Sequence, residues 1–169
     1  MINPLHWRFY TSAFFVPGGN FTEEFFLKVE MEKYVLTVDV KTFCITAVDF
    51  PNGIVAAFQA LEQLHPSICE RPFFGISFEK KTGEIVYKAA VEEKYEGEAE
   101  KYGCETFVIK KGEYLAETII GFMNDIRSIP DAFQRLTTAT GADKSFPCVE
   151  WYKSDKELLC LVKIKTAKN

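Results

Sequence analysis

Hydrophobic positions change their period along this chain, and the changes mark its elements. From 34 to 48 the run of Val, Thr and Ile predicts one long or bulged strand. Pro51-Asn52-Gly53 stops it, and Asn52 is placed to cap a helix. There Val55, Phe58 and Leu61 fall on one side at 3.6-residue spacing, with Gln59 and Gln63 on the other. His65-Pro66 ends the helix, because a residue before proline avoids the helical region. Segments 73–79 and 84–93 then alternate around Lys80-Lys81-Thr82-Gly83 as a hairpin, with Ile85, Tyr87, Ala89 and Val91 on one face.

The grammar then repeats. Segments 106–109 and 111–120 read as strand, broken near Lys110-Lys111-Gly112. A helix follows from about Asn124, with Pro130 suited to its first turn or to a kink; it presents Ile129, Ala132, Phe133 and Leu136, and Gly141 ends it. Segments 148–153 and 158–165 pair around Ser154-Asp155-Lys156-Glu157. Phe58-Gln59-Ala60-Leu61 recurs 75 positions later as Phe133-Gln134-Arg135-Leu136, and Pro72-Phe73-Phe74-Gly75-Ile76-Ser77 as Pro147-Cys148-Val149-Glu150-Trp151-Tyr152. Lys41 aligns with Lys111 at an offset of 70, so the second copy holds about five extra residues within 120–129. The expectation is an α+β fold, a tandem pseudo-twofold repeat of two βαββ modules with a ligand groove along their seam. Module 1 spans about 33–93, a linker 94–104 and module 2 about 105–165, together a ligand-binding domain over 31–169. Residues 1–30 form an aromatic extension in which 22–31 fits both strand and helix patterns.

Composition adds one unusual feature, the 16 Phe, 7 Tyr and 2 Trp among 169 residues. Such rings fill a core or line a cavity. Net charge is −4 with both signs interspersed and no basic stripe, which argues against nucleic acid as a partner. The densest charge run, 92–101, carries Glu92, Glu93, Glu96, Glu98 and Glu100 and reads as a solvated face or linker. Five cysteines without C-x-x-C spacing fit neither a disulfide framework nor a zinc site, and imply a reducing, cytoplasmic setting. No segment has the length of a membrane span and no signal peptide is expected. With two histidines and no phosphate loop, G-x-S-x-G or H-E-x-x-H, no metal or cofactor is expected.

Where the first copy has Gly75, the second has Glu150. Strand alternation puts Cys148, Glu150 and Tyr152 on one face and Val149 and Trp151 on the other. A carboxylate among rings needs a hydrogen-bond donor, a cation, water or a ligand, and burial raises its pKa. It then either attracts lipophilic cations or acts as a general base toward water. The competing reading places Glu150 on a solvated strand face. Tyr152, Tyr114 and Tyr87 are the candidate hydroxyls, and Phe73, Phe74 and Trp151 the candidate walls. Cys148 is a groove-facing thiol if Glu150 faces the groove.

Ile109-Lys110-Lys111-Gly112-Glu113-Tyr114, the 133–136 helix, Phe146 through Tyr152 and Phe74-Gly75-Ile76-Ser77 together resemble the GyrI-like small-molecule-binding family. This is the effector-binding domain of AraC-type and multidrug-sensing regulators, and the likeness covers about 33–165. It implies a pocket between two βαββ modules, with Glu150 recognising cationic aromatic compounds. Related stand-alone members hydrolyse lipophilic electrophiles with the Glu and an aromatic hydroxyl, and others bind a protein, as in gyrase inhibition. No helix-turn-helix accompanies the repeat, so direct DNA binding is not expected, and Trp151 narrows or reshapes the pocket. The first expectation is capture of a lipophilic small molecule, cationic or neutral and aromatic, by Glu150, Tyr152, Trp151, Tyr114, Phe73, Tyr87 and Cys148. The alternatives are a hydrolase using Glu150 and Tyr152, which is less favoured, and a docking module in which 1–30 carries a homodimer or protein contact.

Overall fold

The computed structural model describes residues 31–166; the 1–30 extension and the docking role expected of it lie outside the described residues. The elements in chain order are β1 (Glu32–Leu36), β2 (Val40–Thr46), α1 (Ile54–Leu64), β3 (Phe73–Glu79), β4 (Ile85–Glu92), α2 (Glu98–Lys101), β5 (Glu105–Ile109), β6 (Gly112–Ile120), α3 (Ser128–Thr138), β7 (Cys148–Tyr152) and β8 (Glu157–Lys163). All strands join one antiparallel sheet in the order β1-β6-β8-β7-β3-β4-β2-β5, so the class is α+β. The seam at its middle is β3 against β7, where Gly75 faces Glu150.

The single strand expected over 34–48 is two strands at opposite ends of the sheet. β1 pairs with β6, while β2 pairs with β4 and β5. The chain breaks at Thr37-Val38-Asp39, where the Asp39 carboxylate accepts bonds from the Lys111 backbone N–H (2.8 Å) and Lys110 Nζ (3.0 Å). A continuous Val/Thr/Ile run specifies extended backbone but not which neighbour it pairs with.

Connections this short bend the sheet. Six strand spacings of about 4.8 Å separate β5 from β6, roughly 29 Å if the sheet were flat. Only Lys110 and Lys111 connect them, which allows at most about 11 Å between Ile109 and Gly112. The sheet therefore curls until its ends approach. Its inner face buries Leu36, Phe74, Ile76, Ile109, Tyr114 and Val149 among others. Its outer face is covered by the two long helices. Ile54, Val55, Ala57, Phe58 and Leu61 of α1 and Ile129, Ala132 and Leu136 of α3 pack there on Phe43, Phe73, Tyr87, Val91, Leu158 and Val162.

Helix ends depart from expectation in three places. α1 is capped by Gly53 without a side-chain bond, since Asn52 Nδ2 donates to Asp49 Oδ2 instead (2.7 Å). α3 begins at Ser128 after a 3₁₀ turn, Phe122–Asn124, and Pro130 sits in its first turn, where no N–H partner is needed. α3 stops at Thr138 with Ala139 as its cap, before Gly141, whose φ of 92° serves the loop beyond.

The acidic run 92–101 is not wholly a solvated face. Glu98 is fully buried in α2, where Arg71 Nη1 and Nη2 donate to its two oxygens at 2.8 and 2.7 Å. The Lys94 N–H adds a third bond at 2.8 Å, and together these hold the Glu98 carboxyl below its ordinary range. Among the described residues, the buried Arg71 Nε has no hydrogen-bond partner. No helix among the described residues is long and apolar enough to cross a membrane.

Candidate functional site

The centre of the outer face is a cross-strand row, Glu117–Cys160–Glu150–Gly75–Ala89–Ile45. Glu150 lies beneath the helices with 7% of its surface exposed. Two tyrosines reach its Oε2 from different directions. Tyr152, two residues on along β7 and hence on the same face, donates at 2.5 Å. Tyr87 comes from β4 and crosses β3 to donate at 2.8 Å. That crossing requires Gly75: a Cβ there would lie 2.0 Å from the Tyr87 hydroxyl and 2.7 Å from Glu150 Oε2. Among the described residues both hydroxyls donate to Oε2 and none to Oε1.

Rings enclose this acid. Phe58 of α1 stands edge-on to Tyr152 (5.5 Å between centroids), Tyr87 (6.3 Å) and Phe73 (6.1 Å). Phe122 meets Tyr152 edge-on at 5.6 Å, and Phe50 stacks on Tyr87 at 6.0 Å. Burial pushes the Glu150 carboxyl above its ordinary range, against the downward pull of the Tyr152 and Tyr87 hydrogen bonds. A carboxyl that binds its proton more tightly when folded favours folding at low pH, and that advantage is lost as pH rises through its folded-state pKa. Glu150→Gln is therefore expected to gain on wild type in urea midpoint as pH rises from about 4 to about 8. Parallel midpoint curves would show that no such penalty exists.

Of the residues singled out in the sequence, Glu150, Tyr152, Tyr87 and Phe73 come together here, with Cys148 beside them at half burial. Burial raises the Cys148 thiol to about 11, which leaves it protonated and poorly nucleophilic near neutrality. Trp151 and Tyr114 do not join them. Alternation turns Trp151 to the inner face, against Phe74 and Tyr34 and beneath the Lys153 ammonium. Tyr114 is also inside the curl, and its hydroxyl donates to the Lys110 carbonyl. It borders a cavity of about 180 Å³ with Phe107, Phe146 and Val149 that is separate from Glu150. The seven side chains expected to share one groove thus lie on two faces of the sheet, Trp151 and Tyr114 inside and the other five outside.

Sequence reasoning missed two participants. Phe58 marked the repeat, and its apolar spacing disclosed a core face but not the tyrosines beneath it. Glu117, 2% exposed on the same row, receives Arg135 Nη2 at 2.5 Å and Nε at 3.1 Å, which ties α3 to β6. A lone Glu within an apolar strand segment is the signal for it, but its partner lies 18 positions away. Among the described residues no three His, Cys, Asp or Glu side chains are grouped to hold a metal ion.

No family model and no curated protein matches the chain. Solved structures do share its fold. SAV2435 bound to tetraphenylphosphonium superposes with a TM-score of 0.61 at 14% identity, covering 80% of this chain and 94% of that one. An integron cassette protein from the mobile metagenome of Vibrio cholerae gives 0.61 at 10% identity, covering 80% and 95%. At these identities the likeness concerns the fold.

Proposed function

We propose that this chain is a GyrI-like duplicated βαββ domain that captures a lipophilic, cationic aromatic small molecule, with Glu150 as its anionic anchor. The buried Glu150 carboxyl, held by two tyrosines in an aromatic bed, carries this reading. Ring faces and a desolvated carboxylate attract the same ligands, large weakly hydrated cations. Supporting the duplication, the strand order read inward from the two ends is β5-β2-β4-β3 and β1-β6-β8-β7. Supporting the ligand class, SAV2435, which shares the fold, was solved with the lipophilic cation tetraphenylphosphonium.

Calorimetry with tetraphenylphosphonium and an uncharged analogue of equal size tests the charge. Glu150→Gln is expected to weaken the cation about 100-fold and the neutral analogue less than about threefold. A protonated Glu150 must release its proton to pair with a cation, so wild-type affinity is expected to rise with pH through the folded-state pKa. Equal losses for both ligands would remove the anchor role. The hydrolytic alternative draws on the raised carboxyl and on Oε1, which no described residue occupies as donor. Turnover of a reactive lipophilic ester that disappears in Glu150→Gln would favour it over simple capture.

A further inference from the structure

Lys163 is a buried cation on the inner face of the sheet, 7% exposed, and among the described residues no carboxylate forms an ion pair with it. Its Nζ donates to the Lys110 and Lys111 carbonyls at 3.2 and 2.5 Å. That leaves one of its three N–H bonds without an acceptor among the described residues. Desolvation holds the ammonium below its ordinary range, against the upward pull of Asp39 and Asp143, and the Lys110 charge adds to the lowering. The fold nevertheless makes room for it: a Cβ at Gly112, whose φ is 134°, would lie 2.8 Å from Nζ. The same Nζ stands 4.7 Å from the centre of the Tyr114 ring and 5.3 Å from that of Phe146. Those two rings are walls of the cavity of about 180 Å³, together with Phe107, Ile109 and Val149, and among the described residues no acid lines it. The Asp143 N–H, donating to the Lys163 carbonyl at 2.7 Å, ties the loop that carries Phe146 to β8.

We infer that this inner-face cavity is a second binding site, for a small aromatic monocarboxylate whose ring lies among Phe107, Tyr114 and Phe146 and whose acid group pairs with Lys163. Size agrees. An apolar cavity of roughly 150 Å³ holds one benzene ring, and this one, at about 180 Å³, has space for a single ring and its acid group. Charge agrees too. A buried ammonium with an open N–H gains a charge-assisted bond from an anion. An aryl cation in the same cavity would instead meet the Lys163 charge at close range. The site lies across the sheet from Glu150 and takes ligands of the opposite sign, so it stands or falls apart from the capture reading.

Benzoate, benzamide and benzamidinium share one shape and differ in charge, and they serve as the probes. Calorimetry on the full chain is expected to rank benzoate at least about tenfold tighter than benzamide, with benzamidinium weakest. Backbone amide NMR shifts on adding benzoate are expected to gather at 107–114 and 146–149. Lys163→Met keeps an apolar chain of similar length and is expected to bring benzoate down to the level of benzamide. Phe146→Ala removes a wall ring from a position 38% exposed, and is expected to weaken benzoate and benzamide alike by about fivefold. Should Lys163→Met not fold, the charge ranking in wild type and the loss in Phe146→Ala are read in its place. Equal affinity for benzoate and benzamide in wild type, or a benzoate preference that survives in a folded Lys163→Met, would overturn the pairing with Lys163. Shifts that gather around Glu150, or no measurable binding of benzoate, would overturn the site itself.

Discussion

Arg71→Ala is expected to cost about 3–5 kcal/mol of folding stability at neutral pH, a large share of what a domain of this size possesses. After losing both guanidinium bonds, Glu98 stays fully buried with the Lys94 N–H as its carboxylate's one remaining donor among the described residues. It also removes the Nη1 bond to the Glu92 carbonyl (3.2 Å) and a guanidinium 6.0 Å from the Phe43 ring centroid. In wild type the paired Glu98 carboxyl sits below its ordinary range, so its contribution is present at neutral pH and fades as pH falls through the folded-state value. In Arg71→Ala the orphaned carboxyl resists ionisation, and its penalty is relieved by a proton. Urea unfolding should therefore show a deficit that is widest near pH 7 and narrower near pH 4. The double variant Arg71→Met/Glu98→Leu should recover at least half of the loss, because an apolar pair avoids the desolvation that a lone charge suffers. A pH-independent deficit would mean that packing, not charge, dominates at this position.

Gly75→Ala should be the next most damaging change, and it acts on the candidate site itself. The new methyl would stand 2.0 Å from the Tyr87 hydroxyl and 2.8 Å from Tyr87 Cζ, so the ring must move and its bond to Glu150 must break. Overpacking and a lost bond to a buried carboxyl together suggest about 2–5 kcal/mol. Coupling reveals the cause. If the clash is with the hydroxyl, Tyr87→Phe made alongside Gly75→Ala should cost less than the sum of the two single changes by about 1 kcal/mol or more. Strict additivity in thermal or urea unfolding would place the damage elsewhere.

Much of the fold can be read from the order of residues, and the reasons differ by element. Both central hairpins follow from alternation, and β3, β4, β7 and β8 lie within a residue or two of their expected limits. Alternation also put Trp151 on the face opposite Glu150 but left open which of the two lies under the helices; the structure puts Glu150 there and Trp151 on the inner face. Tyr114 could not be sorted in this way, because its face depends on how β6 registers with β8, a pairing between residues almost 50 positions apart. The break at Asp39 was hidden because β-branched residues continue on both sides of it. Glu98 was concealed among neighbouring acids, since its partner Arg71 is 27 positions distant and nothing local distinguishes it from Glu96 or Glu100. Glu150 stood out for the opposite reason. Its repeat-mate is a glycine, and in three dimensions that glycine is the residue directly across from it, which Tyr87 passes over to reach the acid.

The placement of the edge strands has a consequence for how the chain can be cut. β1 lies early in the sequence yet flanks β6, and β5 follows the 94–104 connection yet flanks β2, so each half of the sheet borrows its outermost strand from the other. Fragments severed near residue 97 would each carry one orphan strand and lack one. Neither should be autonomous, but mixed together they interlock like clasped hands, and such a reciprocal exchange makes this chain a natural candidate for a split-protein reassembly pair.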